Sequence, residues 1–318
     1  MISLGLVYAL AGLLFLGFAV LSALDRTNPK RWGTALFWGL VATSFLGGSA
    51  LGDFGNGLLV IALGLIAGLG GLGQGRPATT SPEERAAGAA RWGVRLFLPA
   101  LAIPAVVILG SLVLKAVNIA GHPLLQTSQA TLISLALGAV LGLALTLTML
   151  KPPLLAPLQE GRRLADTVGW AGLLPQALAA LGAVFALAGV GPVVGRLIGE
   201  AVPLDNRLVA VCVYTLGMAG FTAIMGNAFA AFPVMTAAVG LPLIVGRFGG
   251  DAAIMAAIGM LSGFCGTLAT PMAANFNVVP TTLLELGDRW AVIRVQLPTA
   301  AILLGVNTLL MYLLVYRF

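Results

Sequence analysis

Nine stretches of this 318-residue chain contain no Asp, Glu, Lys or Arg: residues 1–24, 32–52, 54–75, 96–114, 116–150, 167–195, 208–246, 252–284 and 295–316. A helix needs about 20 apolar residues to cross the hydrocarbon core of a bilayer. Runs of that length, repeated along the chain, make lipid the fitting solvent. Composition agrees: 59% of the residues are hydrophobic and 9% charged, against about 25% charged in soluble domains. The 42 glycines suit helices that approach closely in a membrane. The expected fold class is an all-α polytopic membrane protein, a helical bundle with re-entrant hairpins and a discontinuous helix.

The run lengths divide the chain. Four of the first five runs have the length of one span, and the fifth opens with a polar piece around His122 and Gln126, so its helix is expected at 129–150. Residues 1–150 thus form a scaffold-like N-terminal region of five helices. Residues 151–166 mix Leu with charges and form a cytoplasmic connector, with a short interfacial helix. Residues 167–318 hold the hairpin-containing transport region. There, 167–195, 208–246 and 252–284 are too long for one crossing and too interrupted for two. They are expected as a hairpin at 170–200, a broken helix at 207–246 and a second hairpin at 252–284, before a final span at 295–316. Irregular backbone at membrane depth survives only where protein or a watery cavity covers it.

Charge placement sets an orientation. Residues 1–24 lack a basic leader and are followed by Asp25, Arg26, Lys30 and Arg31, so they read as a retained helix rather than a cleaved signal. Basic clusters at Arg26–Arg31, Arg76–Arg95 and Lys151–Arg163 alternate with loops that hold only Asp53, or Lys115 and His122. The positive-inside rule then puts the N-terminus outside. The net charge of +6 belongs to topology. Aromatics do not interleave with it, and a nucleic-acid partner is not expected. In the loop at 75–95, Ser81 followed by Pro82, Glu83 and Glu84 marks a helix start.

Two segments carry the chemistry. One is Met225-Gly226-Asn227-Ala228-Phe229-Ala230-Ala231-Phe232-Pro233. The other runs Gly266-Thr267-Leu268-Ala269-Thr270-Pro271-Met272-Ala273-Ala274-Asn275-Phe276-Asn277. Each places small residues, a Pro and Asn or Thr in the middle of an apolar run. Such interrupted segments mark the binding sites of secondary transporters, where half-helix N-termini face anions and unwound carbonyls face cations. The bland reading is two kinked helices with Asn and Thr bonding across an interface. Asn227, Thr270, Asn275 and Asn277 are the candidate ligands of substrate or cation, with Thr267 beside them. Gly226, Gly266, Pro233 and Pro271 shape the breaks. Pro175-Gln176 opens a third, weaker candidate, with Gln176 its polar side chain.

Other chemistries fit poorly. His122 stands in a loop with no second histidine or carboxylate at ligand spacing. Ser262-Gly263 lacks the nucleophile-elbow pattern, and there is no Walker motif. Cys212 and Cys265 read as small buried hydrophobes. Asp53, Glu200, Asp205, Asp251, Glu285 and Asp288 all fall at run edges. An enzyme is therefore not expected. Sodium, held by carbonyls and Asn or Thr oxygens, is the candidate coupling ion, and no cofactor is implied.

Leu173–Ala180, TAIMGNAFAAFPVMTAAVGLPLI at 222–244 and GFCGTLATPMAANFNVVP at 263–280 together resemble a bacterial membrane family, long catalogued as of unknown function. Its members are now described as one subunit of a pyroglutamate (oxoproline) transporter. The resemblance implies a location in the bacterial inner membrane. It also implies a smaller membrane partner of a sister family, and a split carrier similar to the ion-transporter superfamily. The function expected is a secondary-carrier subunit for a small organic acid. The alternative is a non-transporting accessory or scaffold subunit of a carrier complex. Helix N-termini would suit the carboxylate of pyroglutamate and Asn its lactam, as they would other small acids. No second copy of the two motifs stands in residues 1–165, so the missing repeat is expected in another chain; assembly into a higher-order oligomer is a separate expectation. Cysteines placed at Asp53 and Arg85 are expected to react with an impermeant maleimide from opposite sides of the membrane. Labelling from the same side would sink the orientation.

Overall fold

A computed structural model describes residues 2–76, 79–119, 122–203, 205–284 and 286–317. The chain divides into two units, Met1–Asp166 and Thr167–Phe318. Among the described residues, seven helical stretches are long and apolar enough to cross a bilayer: Leu4–Leu24, Arg31–Gly68, Glu83–Leu112, Thr127–Leu150, Arg207–Met225, Ala228–Arg247 and Ala291–Leu314. The protein is an all-α polytopic membrane protein. Its β-structure among the described residues is a two-residue ladder, Asn118–Ile119 with His122–Pro123, and an isolated bridge between Ile2 and Leu125.

The first unit opens with α1 (Leu4–Leu24) and α2 (Arg31–Gly68). A straight helix of 38 residues would be about 57 Å long. Yet a Cβ on Gly33 would collide with the carbonyl of Gly71, so the two ends of α2 lie side by side. The reversal is at Gly52, whose φ of 61° glycine adopts without steric cost. Asn56 Nδ2 donates to the carbonyls of Gly48 and Gly52 at 2.7 and 2.8 Å, which closes the first limb. The limbs 31–51 and 53–68 are thus separate antiparallel helices. The first packs on α1 through stacked Phe15 and Trp38, 5.5 Å between centroids. Next come α3 (Pro82–Trp92), α4 (Leu98–Leu112) and α5 (Ala130–Leu150). Ser81 and Glu84 form a reciprocal cap at the start of α3, as the sequence predicts. α4 and α5 pack closely enough that a Cβ on Gly138 would lie 3.0 Å from Ile103 Cα.

α6 (Ala156–Val168) docks on α1 by polar and apolar contacts together. Leu158 meets Gly17 and Gly161 meets Phe18. Arg162, 3% exposed, donates from Nη2 to Asp25 Oδ2 at 2.8 Å. Its Nη1 lies 3.9 Å from Asp166 Oδ2, and Trp38 Nε1 donates to Asp166 Oδ1 at 2.7 Å. Burial works against ionisation of Asp25, but hydrogen bonds from Thr27 and Arg162 outweigh it and hold the carboxyl below its ordinary value. At Asp166 burial wins over Trp38 and Arg162 and pushes the carboxyl up.

The second unit holds α7 (Leu174–Leu187), α8 (Val190–Ala201), α9 (Arg207–Met225), α10 (Ala228–Met235), a π-helix (Thr236–Arg247), α11 (Ala252–Leu268), α12 (Ala274–Leu283) and α13 (Ala291–Leu314). Its core is Val211, Tyr214, Met218, Met235, Val239, Ile244, Met255 and Met311. Three sequence expectations are corrected here. Residues 207–246 do not form one broken span. α10 folds back along α9, with a Met235 methyl against Gly217 and Tyr214 OH 3.3 Å from Thr236 Oγ1. The reason is Gly226, whose φ of 77° reverses the chain in two residues. Residues 170–200 do not fold back as a hairpin. α7 and α8 bend by 71° and advance along α10 and the π-helix, Gly182 against Ala230, Gly191 against Ala237 and Gly195 against Ala238. The segment at 252–284 is a helix that breaks rather than a hairpin: α12 meets α11 around the break, then packs against α13 and α7.

The linkage at α6 has a definite sign. Asp25, with its lowered pKa, lends stability above the ordinary carboxyl value that is lost as pH falls through the lowered one. Asp166, with its raised pKa, favours the fold below the ordinary value and withdraws that as pH rises through the raised one. Asp25→Asn is expected to flatten the acid limb of a melting-temperature profile in detergent, and Asp166→Asn the limb above it. Arg162→Ala leaves Asp25 to Thr27 and Asp166 to Trp38 and is expected to cost about 1–3 kcal/mol. A loss under about 1 kcal/mol, the scale of exposed pairs, would remove the network as the tie between α6 and α1.

Candidate functional site

The site begins where two helices run out together. α9 and α11 run in the same direction, since Tyr214 lies against Gly259 and Gly226 against Met272. Their glycine face permits this. A Cβ on Gly263 would stand 2.9 Å from Ala228 Cβ and 3.2 Å from Thr222 Oγ1, and one on Gly266 would strike the Ala219 carbonyl. α9 ends at Met225 and α11 at Leu268. The two breaks touch: a Cβ on Gly226 would be 2.5 Å from the carbonyl oxygen of Met272. So the starts of α10 and α12 arise side by side, the arrangement that makes helix N-termini attractive to anions.

Each expected residue has a definite place. Asn227 is the N-cap of α10, and its Oδ1 accepts from Phe229 N at 2.7 Å. Thr270 is buried in the α11–α12 break, and its Oγ1 accepts from Met272 N at 3.2 Å. Asn277, with 0% exposure, donates from Nδ2 to Thr267 O at 2.8 Å and Thr270 O at 2.6 Å. The first is a carbonyl that α11 leaves open when it stops, and the second lies in the break itself. Asn277 Oδ1 is buried without a partner. Thr267 is buried, and its hydroxyl returns to Gly263 O at 3.4 Å. Asn275 is half-buried in the first turn of α12 and takes no part in these hydrogen bonds. Gln176 stands in the first turn of α7, and its side chain lies outside the described ones. Pro271 is exposed inside the break. Pro233 is a correction: α10 stays helical through it and widens into the π-helix three residues later, because a proline removes one backbone hydrogen bond that neighbouring turns absorb.

One residue went unmarked in the sequence. Thr222, one turn before Gly226, has a buried hydroxyl without a partner. Thr215, Ser262, Thr267 and Thr308 all bond back to a carbonyl four residues earlier, the usual habit in helices. The signal available was its spacing of four from Gly226, which puts both on one face of α9.

The helix lengths give the depth of the break. α11 has 17 residues, so the break lies about 25 Å from the end where Asp251 N donates to Val315 O. α13 has 24 residues, about 36 Å. The break is therefore nearer the middle of α13 than its Arg294 end, and Asn307 Nδ2 meets Cys265 Sγ at 3.7 Å three residues before α11 stops. Among the described residues no group of three His, Cys, Asp or Glu stands together as a metal site.

The model of a family described as a protein of unknown function (DUF979) matches residues 5–316. No curated protein and no solved structure matches the chain.

The close approach of α11 to α9 gives a direct test. Gly266→Ala is expected to cost about 1–3 kcal/mol from overpacking, read as a lower melting temperature in detergent. Gly305→Ala, where nothing lies within reach of the added carbon, is expected to be neutral or mildly stabilising. Equal behaviour of the two would mean that the helices are not in contact at Gly266.

Proposed function

We propose that this chain, which belongs to the DUF979 family of unknown function, is a subunit of a secondary active transporter. It would move a small organic acid across the bacterial cytoplasmic membrane. The observation that carries the reading is the pair of helix breaks in contact at Gly226 and Met272, with a buried, unpartnered amide oxygen from Asn277 beside them. Two N-termini supply positive ends without a buried cation. Polar atoms held in a break match the way carriers bind. Pyroglutamate is the candidate substrate and sodium the candidate coupling ion. The N-terminus would be outside, and a smaller sister subunit would supply the second repeat.

The rival reading is an accessory subunit that stabilises a transporting partner. It draws on the same hydrogen bonds, because Asn227 Oδ1 and Asn277 Nδ2 both serve backbone groups. Reconstitution separates the two. Proteoliposomes holding the chain with its partner are expected to take up labelled pyroglutamate or a related acid. Asn277→Ala is expected to lower uptake per inserted molecule by more than tenfold, beyond what about 0.6–2 kcal/mol of lost membrane hydrogen bonding would do by unfolding alone. Normal uptake per folded molecule in Asn277→Ala and Asn227→Ala would move the site to the partner and favour the accessory reading.

A further inference from the structure

One face of the first unit ties up its acids and leaves its bases open. Asp25 accepts from Thr27 and Arg162, and Asp166 from Trp38. Glu160 accepts from Thr79 and Arg163, and Glu84 closes the cap at Ser81. Glu83 lies in the first turn of α3, about 12 Å along the helix from Arg91. Lys30, Arg31, Arg91 and Arg95 make no ion pair among the described residues. Two of these arginines rest on tryptophans instead. Arg31 Cζ is 5.1 Å from the ring centre of Trp32, and Arg91 Cζ is 5.6 Å from that of Trp92.

Both pairs stand on the same face, because the chain stays at the Arg31 end of α2 until α3 begins. Gly71 lies against Gly33, Gly73 O accepts from Asn28 Nδ2, and Arg76 N donates to Thr27 Oγ1. Thr79, just before the Ser81 cap, reaches Glu160 of α6. The pairs also stand at one depth. The first limb of α2, 31–51, is about 31 Å long. The 3-10 turn Gly93–Phe97 and α4 together give about 32 Å. Each length matches the hydrocarbon core, and Asp53 and Lys115 follow just past the far ends. Trp32 and Trp92 thus mark the headgroup level, where tryptophan ordinarily sits. The surface there is open: Trp32 is 67%, Val94 83% and Phe97 63% exposed, and no described side chain in 83–98 is buried.

Charge selects the partner. A guanidinium can lie with its face on an indole while its N–H groups, in the ring plane, donate to a phosphate. Zwitterionic headgroups bring an ammonium beside their phosphate, whereas anionic ones leave the negative charge for the protein to meet. We propose that the Arg31–Trp32 and Arg91–Trp92 pairs, with Lys30 and Arg95 near them in the chain, bind the phosphates of anionic phospholipids in the leaflet at this face. This binding needs only the membrane location, and it holds whether the chain is a carrier or an accessory subunit.

The full chain in phosphatidylcholine nanodiscs gives the test. Phosphatidylglycerol and phosphatidylcholine, spin-labelled at the same acyl carbon, are compared for the fraction that the protein immobilises. The wild type is expected to hold the glycerol lipid in preference. Arg31→Gln with Arg91→Gln is expected to bring the two lipids near parity, each lost arginine weakening its headgroup contact about fivefold. Arg289→Gln, which removes an exposed arginine of the second unit, is expected to keep the preference. Parity in the wild type overturns the proposal. So does a preference that the double variant retains, or one that Arg289→Gln loses equally, since net charge alone would then explain it. Inorganic phosphate at constant ionic strength is expected to change nothing; displacement by it would reveal a free-anion site and overturn the lipid assignment. Should the double variant fail to accumulate, the single variants are each expected to lose part of the preference, and wild-type ratios in both overturn the proposal.

Discussion

A helix that stops within a membrane leaves its last carbonyls without amide partners, and hydrocarbon supplies none. α11 meets this constraint at Leu268, and the Asn277 amide answers it by donating to Thr267 O and Thr270 O. The rest of the second unit depends on that closure. It lets the chain turn through Thr270 and Pro271, start α12, and present Met272 to Gly226. The first unit uses the same device. Asn56 donates to Gly48 O and Gly52 O where α2 reverses. In both places one asparagine past the break donates to one carbonyl of the helix before it and one in the break. At Asn56 the neighbourhood is exposed, whereas at Asn277 it is buried. That difference in burial turns the leftover amide oxygen of Asn277 into a feature that asks for a partner.

Glycine makes the second half of the arrangement. Lipid gives helices no hydrophobic reason to associate, so packing depends on how closely backbones can approach. Gly259, Gly263 and Gly266 let α11 lie against Tyr214, Thr222 and Ala219 of α9. Gly182, Gly191 and Gly195 do the same for α7 and α8 on α10 and the π-helix. These contacts bring the ends of α9 and α11 to one level. Without them, two separate helix ends would each need a partner of their own, and two N-termini would not converge.

The membrane class and the capped start at Ser81 were legible in the sequence, because run length, charge and cap residues report them directly. So were Gly226, Asn227 and Thr270 as places where the chain leaves the helix, whereas Asn277 lies inside α12. The direction taken after each break was not legible. Gly226-Asn227 reverses α9 onto α10, while Thr270–Ala273 lets α12 depart from α11. Both segments read alike as small residues with Asn and Pro. What separates them is a backbone angle at one glycine and the packing of the helix that follows, and neither leaves a period in the sequence. Pro233 misled for a related reason. A proline signals a missing donor, but whether a helix yields there depends on the turns around it. Thr222 hid because a threonine in an apolar helix ordinarily bonds to its own backbone.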